Sequence, residues 1–174
     1  MTVSYKNFRG DTYYLHSKLT KKGNTSYHFS KKEEGAADIR EIPVGYEIYE
    51  EPNGKVYLRK KTKEYIHDKE IQIIQKGMER YSEIKDFKLV IKKNMIYVYT
   101  ADQDMDTPPG FQQYDTQLRF ALIDENERTF EVERFCYSGS IDDWIPIDGS
   151  EDLETLVQEY TQHLGKDSFY ELGW

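Results

Sequence analysis

The chain has 174 residues, of which 32% are charged and 37% hydrophobic, with 15 Tyr, 8 Phe and 2 Trp. That length can bury a core, and so many aromatics exclude a disordered chain, because disordered segments are aromatic-poor. No apolar run is long enough to span a bilayer, no basic-then-apolar leader opens the chain, and one cysteine cannot form an internal disulfide, so a cytoplasmic protein is expected.

The predicted elements begin with a hairpin joining residues 12–18 to 25–31 across Lys21-Lys22-Gly23-Asn24, a register that puts His16 and His28 on opposite faces. A second hairpin joins 46–50 to 55–61 across Pro52-Asn53-Gly54, with residues 32–43 as a charged loop between the two. A helix follows over about 68–83, with Asp68 as N-cap and Ile71, Ile74, Met78 and Tyr81 on one face; Gly77 weakens it.

A third hairpin turns at Lys93-Asn94, so Ile91 faces Ile96, Leu89 faces Val98 and Phe87 faces Thr100. After a polar stretch over 101–116, a fourth turns at Glu125-Asn126-Glu127, pairing Leu122 with Phe130 and Phe120 with Val132. Its other face pairs Arg119 with Glu133, expected as a solvent-side ion pair of little energetic weight. A second helix is expected over about 151–164, capped by Ser150 and ended by Gly165, with Leu153, Leu156, Val157, Tyr160 and Leu164 as its stripe. The order ββββα ββββα implies an α+β fold of about four hairpins and two helices. One domain over 1–174 is expected, or two tightly packed halves, 1–84 and 85–174.

Charge is polarised along this order. Residues 1–100 carry 20 Lys/Arg against 14 Asp/Glu, and residues 101–174 carry 4 against 18, for a net charge of −8. The third hairpin's register places Lys88, Val90, Lys92, Tyr97 and Tyr99 opposite its apolar face. Ammoniums among tyrosines on a strand surface suit single-stranded nucleic acid, because rings stack on bases while cations follow phosphates. Arg59, Lys60, Lys61 and Lys63, near Tyr57 and Tyr65, extend that pattern. An ordinary solvated rim gives the same pattern.

Ser140-Ile141-Asp142-Asp143-Trp144 is a candidate loop in which carboxylates beside an indole would recognise a cation, or in which Trp144 anchors the core. Asp102-Gln103-Asp104-Met105-Asp106 has alternating carboxylates, but Thr107 and Gln113 stand where a calcium loop needs Gly and Glu. The four histidines lack zinc-ligand spacing, and a Cys136–His163 nucleophilic pair would need tertiary proximity. No nucleophile elbow, phosphate loop or dinucleotide fingerprint is present, so no catalytic residue, metal ligand or cofactor is assigned.

Tyr27-His28-Phe29-Ser30-Lys31-Lys32, Ile42-Pro43-Val44-Gly45-Tyr46-Glu47-Ile48-Tyr49-Glu50 running into Pro52-Asn53-Gly54, Gly139-Ser140-Ile141-Asp142-Asp143-Trp144, and the tail from His163 to Leu172 form a set. Together they resemble a group of uncharacterised bacterial proteins of similar length, a resemblance that implies one complete small protein and carries over no known activity or functional residues.

Three functional readings follow. The first is a non-catalytic binding or regulatory protein directed at another protein or at a second copy of itself, steered by the polarised charge. The second is a nucleic-acid binder using Lys88, Lys92, Tyr97, Tyr99 and the basic run over residues 59–63. The third is an enzyme whose site gathers Asp142, Asp143 and Glu131 or Glu133. None of the three requires a membrane.

Overall fold

Tight turns at residues able to take positive φ produce most of the chain reversals. The computed structural model describes residues 1–103 and 106–173, with Ser150 described by its backbone alone. These residues form three antiparallel sheets and two helices, an α+β fold, in two compact units. Residues 1–62 and 107–111 make the first unit; residues 63–106 and 112–174 make the second.

In the first unit, β1 (Ser4–Lys6), β2 (Thr12–Leu19) and β3 (Thr25–Ser30) form a sheet in that order, and β4 (Tyr46–Glu50) pairs with β5 (Val56–Lys60). Leu15 is fully buried. The loop after β1 meets the β4–β5 turn through Asn7. Its amide nitrogen donates to Gly54 O at 2.7 Å, and its amide oxygen accepts from Arg9 N at 3.1 Å and Asp11 N at 2.8 Å. Glu50 accepts from Tyr5 Oη at 2.9 Å and from Phe8 N at 2.7 Å, tying the same two segments.

The first hairpin corrects the expected register. Residues 20–24 close it with Leu19 opposite Thr25, one position away from the expected pairing. His16 therefore sits opposite His28, and the rings stack with centroids 5.2 Å apart instead of facing opposite ways.

The second unit begins with α1 (Asp68–Tyr81), followed by β6 (Phe87–Lys92), β7 (Met95–Ala101), β8 (Tyr114–Asp124), β9 (Thr129–Ser138) and β10 (Ile141–Glu151). Then come α2 (Leu153–Tyr160) and two 3₁₀ turns, Thr161–His163 and Asp167–Glu171. The sheet order is β10-β9-β8-β7-β6. The third and fourth hairpins have the expected pairs, Ile91 with Ile96, Leu89 with Val98, Phe120 with Val132 and Leu122 with Phe130. Ile74 and Met78 of α1 and Leu156 and Val157 of α2 close one core with Ile96, Val98, Phe120 and Val132, so both helices lie on the same face of the sheet.

The order is thus βββββα βββββα, one strand longer per half than expected. The added strand in the second half is the segment expected as a loop around Asp142. Gly139, at φ +39°, turns the chain so that Ile141 pairs back on Ser138, and the acidic run continues as a strand. Helix boundaries shift for local reasons. His67, not Asp68, is the α1 N-cap, and its N–H donates to the Glu70 carboxylate at 2.8 Å. Asp152, not Ser150, caps α2 by accepting from Thr155 N at 2.9 Å, because Glu151 still belongs to β10.

Two buried polar anchors hold the helical layer and the tail. Glu70 takes a two-pronged contact from Arg128 in the β8–β9 turn, whose Nε lies 3.1 Å from Glu70 Oε2, while Arg128 Nη2 also donates to Tyr65 O at 3.0 Å. Arg134, on the core face of β9, donates to the carbonyls of Leu172 at 2.7 Å and Tyr170 at 3.3 Å, fixing the last turn. No helix among the described residues is long and apolar enough to cross a membrane.

Candidate functional site

Strand alternation builds the face of the five-stranded sheet turned away from the helices. One cross-strand row on it reads Val90, Tyr97, Arg119, Glu133 and Pro146, each residue opposite the next. One step along, Phe135 of β9 pairs with Trp144 of β10, and beyond it Tyr137 pairs with Asp142.

The rings form a connected group. Trp144 meets Tyr97 edge-on at 5.7 Å between centroids and Phe135 edge-on at 5.5 Å, and Phe135 contacts Tyr137 at 4.5 Å. The Arg119 guanidinium stands at the centre. It lies 4.3 Å from the Trp144 ring centroid, donates from Nη1 to Tyr97 Oη at 3.1 Å, and donates from Nε to Glu133 at 2.6 Å. The expected solvent-side ion pair is therefore mostly covered, at 15% and 14% side-chain exposure, because the indole and phenol roof it. Burial opposes the charge on Arg119, but the bonds to Glu133 and Tyr97 outweigh it and hold its pKa above the ordinary value.

Exposure rises toward the β9–β10 turn. Trp144, Tyr97 and Phe135 are half-buried, whereas Tyr137 is 61% exposed and Asp142 and Asp143 are exposed. Burial, followed by the nearby Asp115 and Asp142 carboxylates, raises the pKa of the Tyr137 hydroxyl. Asp142 and Asp143 stand opposite Tyr137 and Cys136 respectively, so they leave the sheet on different faces.

The structure thus joins two candidate regions that lie far apart in sequence. Trp144 and Asp142 share a sheet face with Tyr97 and Lys92, while Asp143 alternates away from it. Lys92 lies 5.5 Å from the Tyr97 ring centroid; Lys88 lies 4.2 Å from that of Tyr114 and pairs across the strands with Tyr99. Arg59, Lys60 and Lys61 belong to the first unit, Arg59 and Lys60 on β5 and Lys61 just beyond its end. Arg59 is engaged by Glu47 at 3.0 Å and covers the Tyr49 ring at 4.1 Å, while Lys60 and Lys61 are exposed. Lys63, in the second unit, pairs with Glu125 at 3.2 Å.

The sequence pattern marks Arg119 only as a solvent-side ion pair and does not single out Phe135 or Tyr137 as site residues. The signal was present: once Arg119 is paired with Glu133, strand parity places Phe135 and Tyr137 on that same face.

Cys136 is buried on the core face, and His163 Nδ1 lies 2.8 Å from Ser168 Oγ. Among the described residues no three His, Cys, Asp or Glu side chains converge as a metal site. Asp104 and Met105 of the alternating acidic run lie outside the described residues.

Neither a protein-family model, nor a curated protein, nor a solved structure matches the chain.

Proposed function

We propose that this protein is a non-catalytic recognition module that binds another protein through the aromatic face of its five-stranded sheet. The observation that carries this reading is the Tyr97–Trp144–Phe135 cluster, centred on Arg119 and left half-open on the sheet face opposite both helices. Tyr, Trp and Arg are the residue types that dominate protein-binding hot spots, since rigid rings and a planar cation give large contact at little entropic cost. Asp142 beside the exposed Tyr137 supplies a carboxylate for a Lys or Arg of the partner.

The geometry favours a protein over a nucleic acid. A base needs an open ring face, yet Arg119 covers that of Trp144 and, with Lys92, flanks that of Tyr97. Glu131 and the exposed Asp142 share the face and repel phosphates. An acid–base or metal site is supported less, because Glu133 is tied to Arg119 and Asp142 and Asp143 diverge.

Selection of a displayed random-peptide library on the whole chain tests this. The expected survivors carry a basic residue next to aromatic or apolar ones, and lose binding to Tyr137→Ala and Asp142→Asn. Labelled single-stranded oligonucleotides at low and physiological salt are the counter-test. Salt-sensitive oligonucleotide binding that disappears with Lys88→Glu and Lys92→Glu would replace this reading with nucleic-acid recognition.

A further inference from the structure

The opposite side of the second unit carries a different surface. Where α1 and α2 meet, an open groove of about 530 Å³ is floored by Ile73, Gly77, Tyr81 and Val157. Lys69, Lys76 and Arg80 of α1 line one wall, and Glu154 and Gln158 of α2 line the other.

These cations are out of place as ordinary surface charge. The second unit holds 12 Lys/Arg against 24 Asp/Glu, yet none of the three forms an ion pair among the described residues. Glu79, three residues from Lys76, accepts instead from Gln75 at 2.8 Å. Arg80, in the last turn of α1, lies 5.4 Å from the Tyr81 ring centroid and leaves the end of the helix to Lys85, whose Nζ donates to the carbonyls of Glu79 and Ser82, each at 2.6 Å. Lys69 sits in the first helical turn, where the helix dipole disfavours a cation.

Their spacing selects the ligand's shape. Lys76 and Arg80 stand seven and eleven residues beyond Lys69, about 10 and 16 Å along the helix axis. One compact anion would need cations converging on a point, whereas a line of cations beside an apolar floor matches an extended rod. We infer that the α1–α2 groove is a second docking site, one that takes an acidic amphipathic helix of a partner protein. Its apolar face lies on the half-buried Ile73 and Tyr81, and its carboxylates face Lys69, Lys76 and Arg80.

A library of amphipathic helical peptides of about four turns, selected on the whole chain, tests the inference. The expected survivors repeat Asp or Glu at a seven-residue spacing, bind less tightly as salt rises, and lose at least about tenfold in affinity on Lys76→Glu/Arg80→Glu. A matching thermal unfolding curve shows that this variant is folded, and Lys69→Ala/Lys76→Ala should weaken binding by a smaller factor. Trp144→Ala should leave the affinity unchanged, which separates this site from the sheet face. Survivors without the acidic spacing, or equal binding to the charge-reversed variant, would overturn the inference. A labelled oligonucleotide that binds wild type more tightly than every peptide and loses binding to that variant would overturn it as well.

Discussion

Val157 of α2 fills the place where residue 77 of α1 would carry a side chain: a Cβ on Gly77 would stand 2.0 Å from Val157 Cγ1. Gly77 is thus a notch that brings the two helices together, and its low helix propensity is the cost of that approach.

Gly77→Ala is expected to destabilise the protein even though alanine is the better helix former. The propensity gain is about 1 kcal/mol, while forcing a methyl into a filled contact costs about 1–3 kcal/mol, and a 2.0 Å approach belongs at the upper end. Urea unfolding should show a net loss of about 1–2 kcal/mol. Adding Val157→Ala should recover part of it, so the double variant is less destabilised than the sum of the singles. Additive losses would mean that the helices do not meet at this point.

The Glu70–Arg128 contact predicts a specific acid sensitivity. Burial alone would raise the Glu70 pKa, but the Arg128 hydrogen bonds and the His67 N–H outweigh it and hold the pKa below the usual carboxylate value. A lowered folded-state pKa means the contribution is fully present above the unfolded pKa of about 4.3 and is lost as pH falls through the folded value. Glu70→Gln should cost about 2–4 kcal/mol at neutral pH by leaving the Arg128 charge uncompensated. The gap between wild type and variant should close progressively below about pH 4. A gap independent of pH would show that packing, and not the charge, carries the contact.

Hairpin pairing was legible wherever alternation and a two-sided apolar pattern agreed, as over residues 87–101 and in the Phe120–Val132 and Arg119–Glu133 pairs. It failed where loop length alone decides parity: one residue of difference in the first turn moves His28 from behind the sheet to a stack on His16. The strand through Asp142-Asp143-Trp144 was illegible because two adjacent acids read as a loop, and only Gly139 marks the turn that makes them strand. Trp144 and Tyr97 belong to strands separated in the sheet by two others, a long-range relationship that neither hairpin encodes locally. Gly77 read as a local weakness because its reason lies on another helix.

In the first unit, Asn7 is expected to matter more than any exposed charge. Its amide makes three hydrogen bonds in one loop contact, and it is 5% exposed. Truncation strands the Gly54 carbonyl and two backbone N–H groups, so Asn7→Ala should cost about 2–4 kcal/mol by urea unfolding, with faster hydrogen exchange in β1, β2, β4 and β5. Asn7→Asp keeps the acceptor for Arg9 and Asp11 but turns a carboxylate toward the Gly54 carbonyl. That variant should be poorer than wild type at neutral pH and should recover relative to it at acid pH, where the introduced carboxyl, once protonated, can donate again. Gly54→Ala meets two obstacles at once: φ is +97°, and the new Cβ would lie 2.7 Å from Asn7 Nδ2. In the Asn7→Ala background the clash is gone and only the backbone strain remains, so Gly54→Ala should cost less there than in wild type. Equal costs in both backgrounds would place the penalty in the turn alone and show that Asn7 does not close on Gly54.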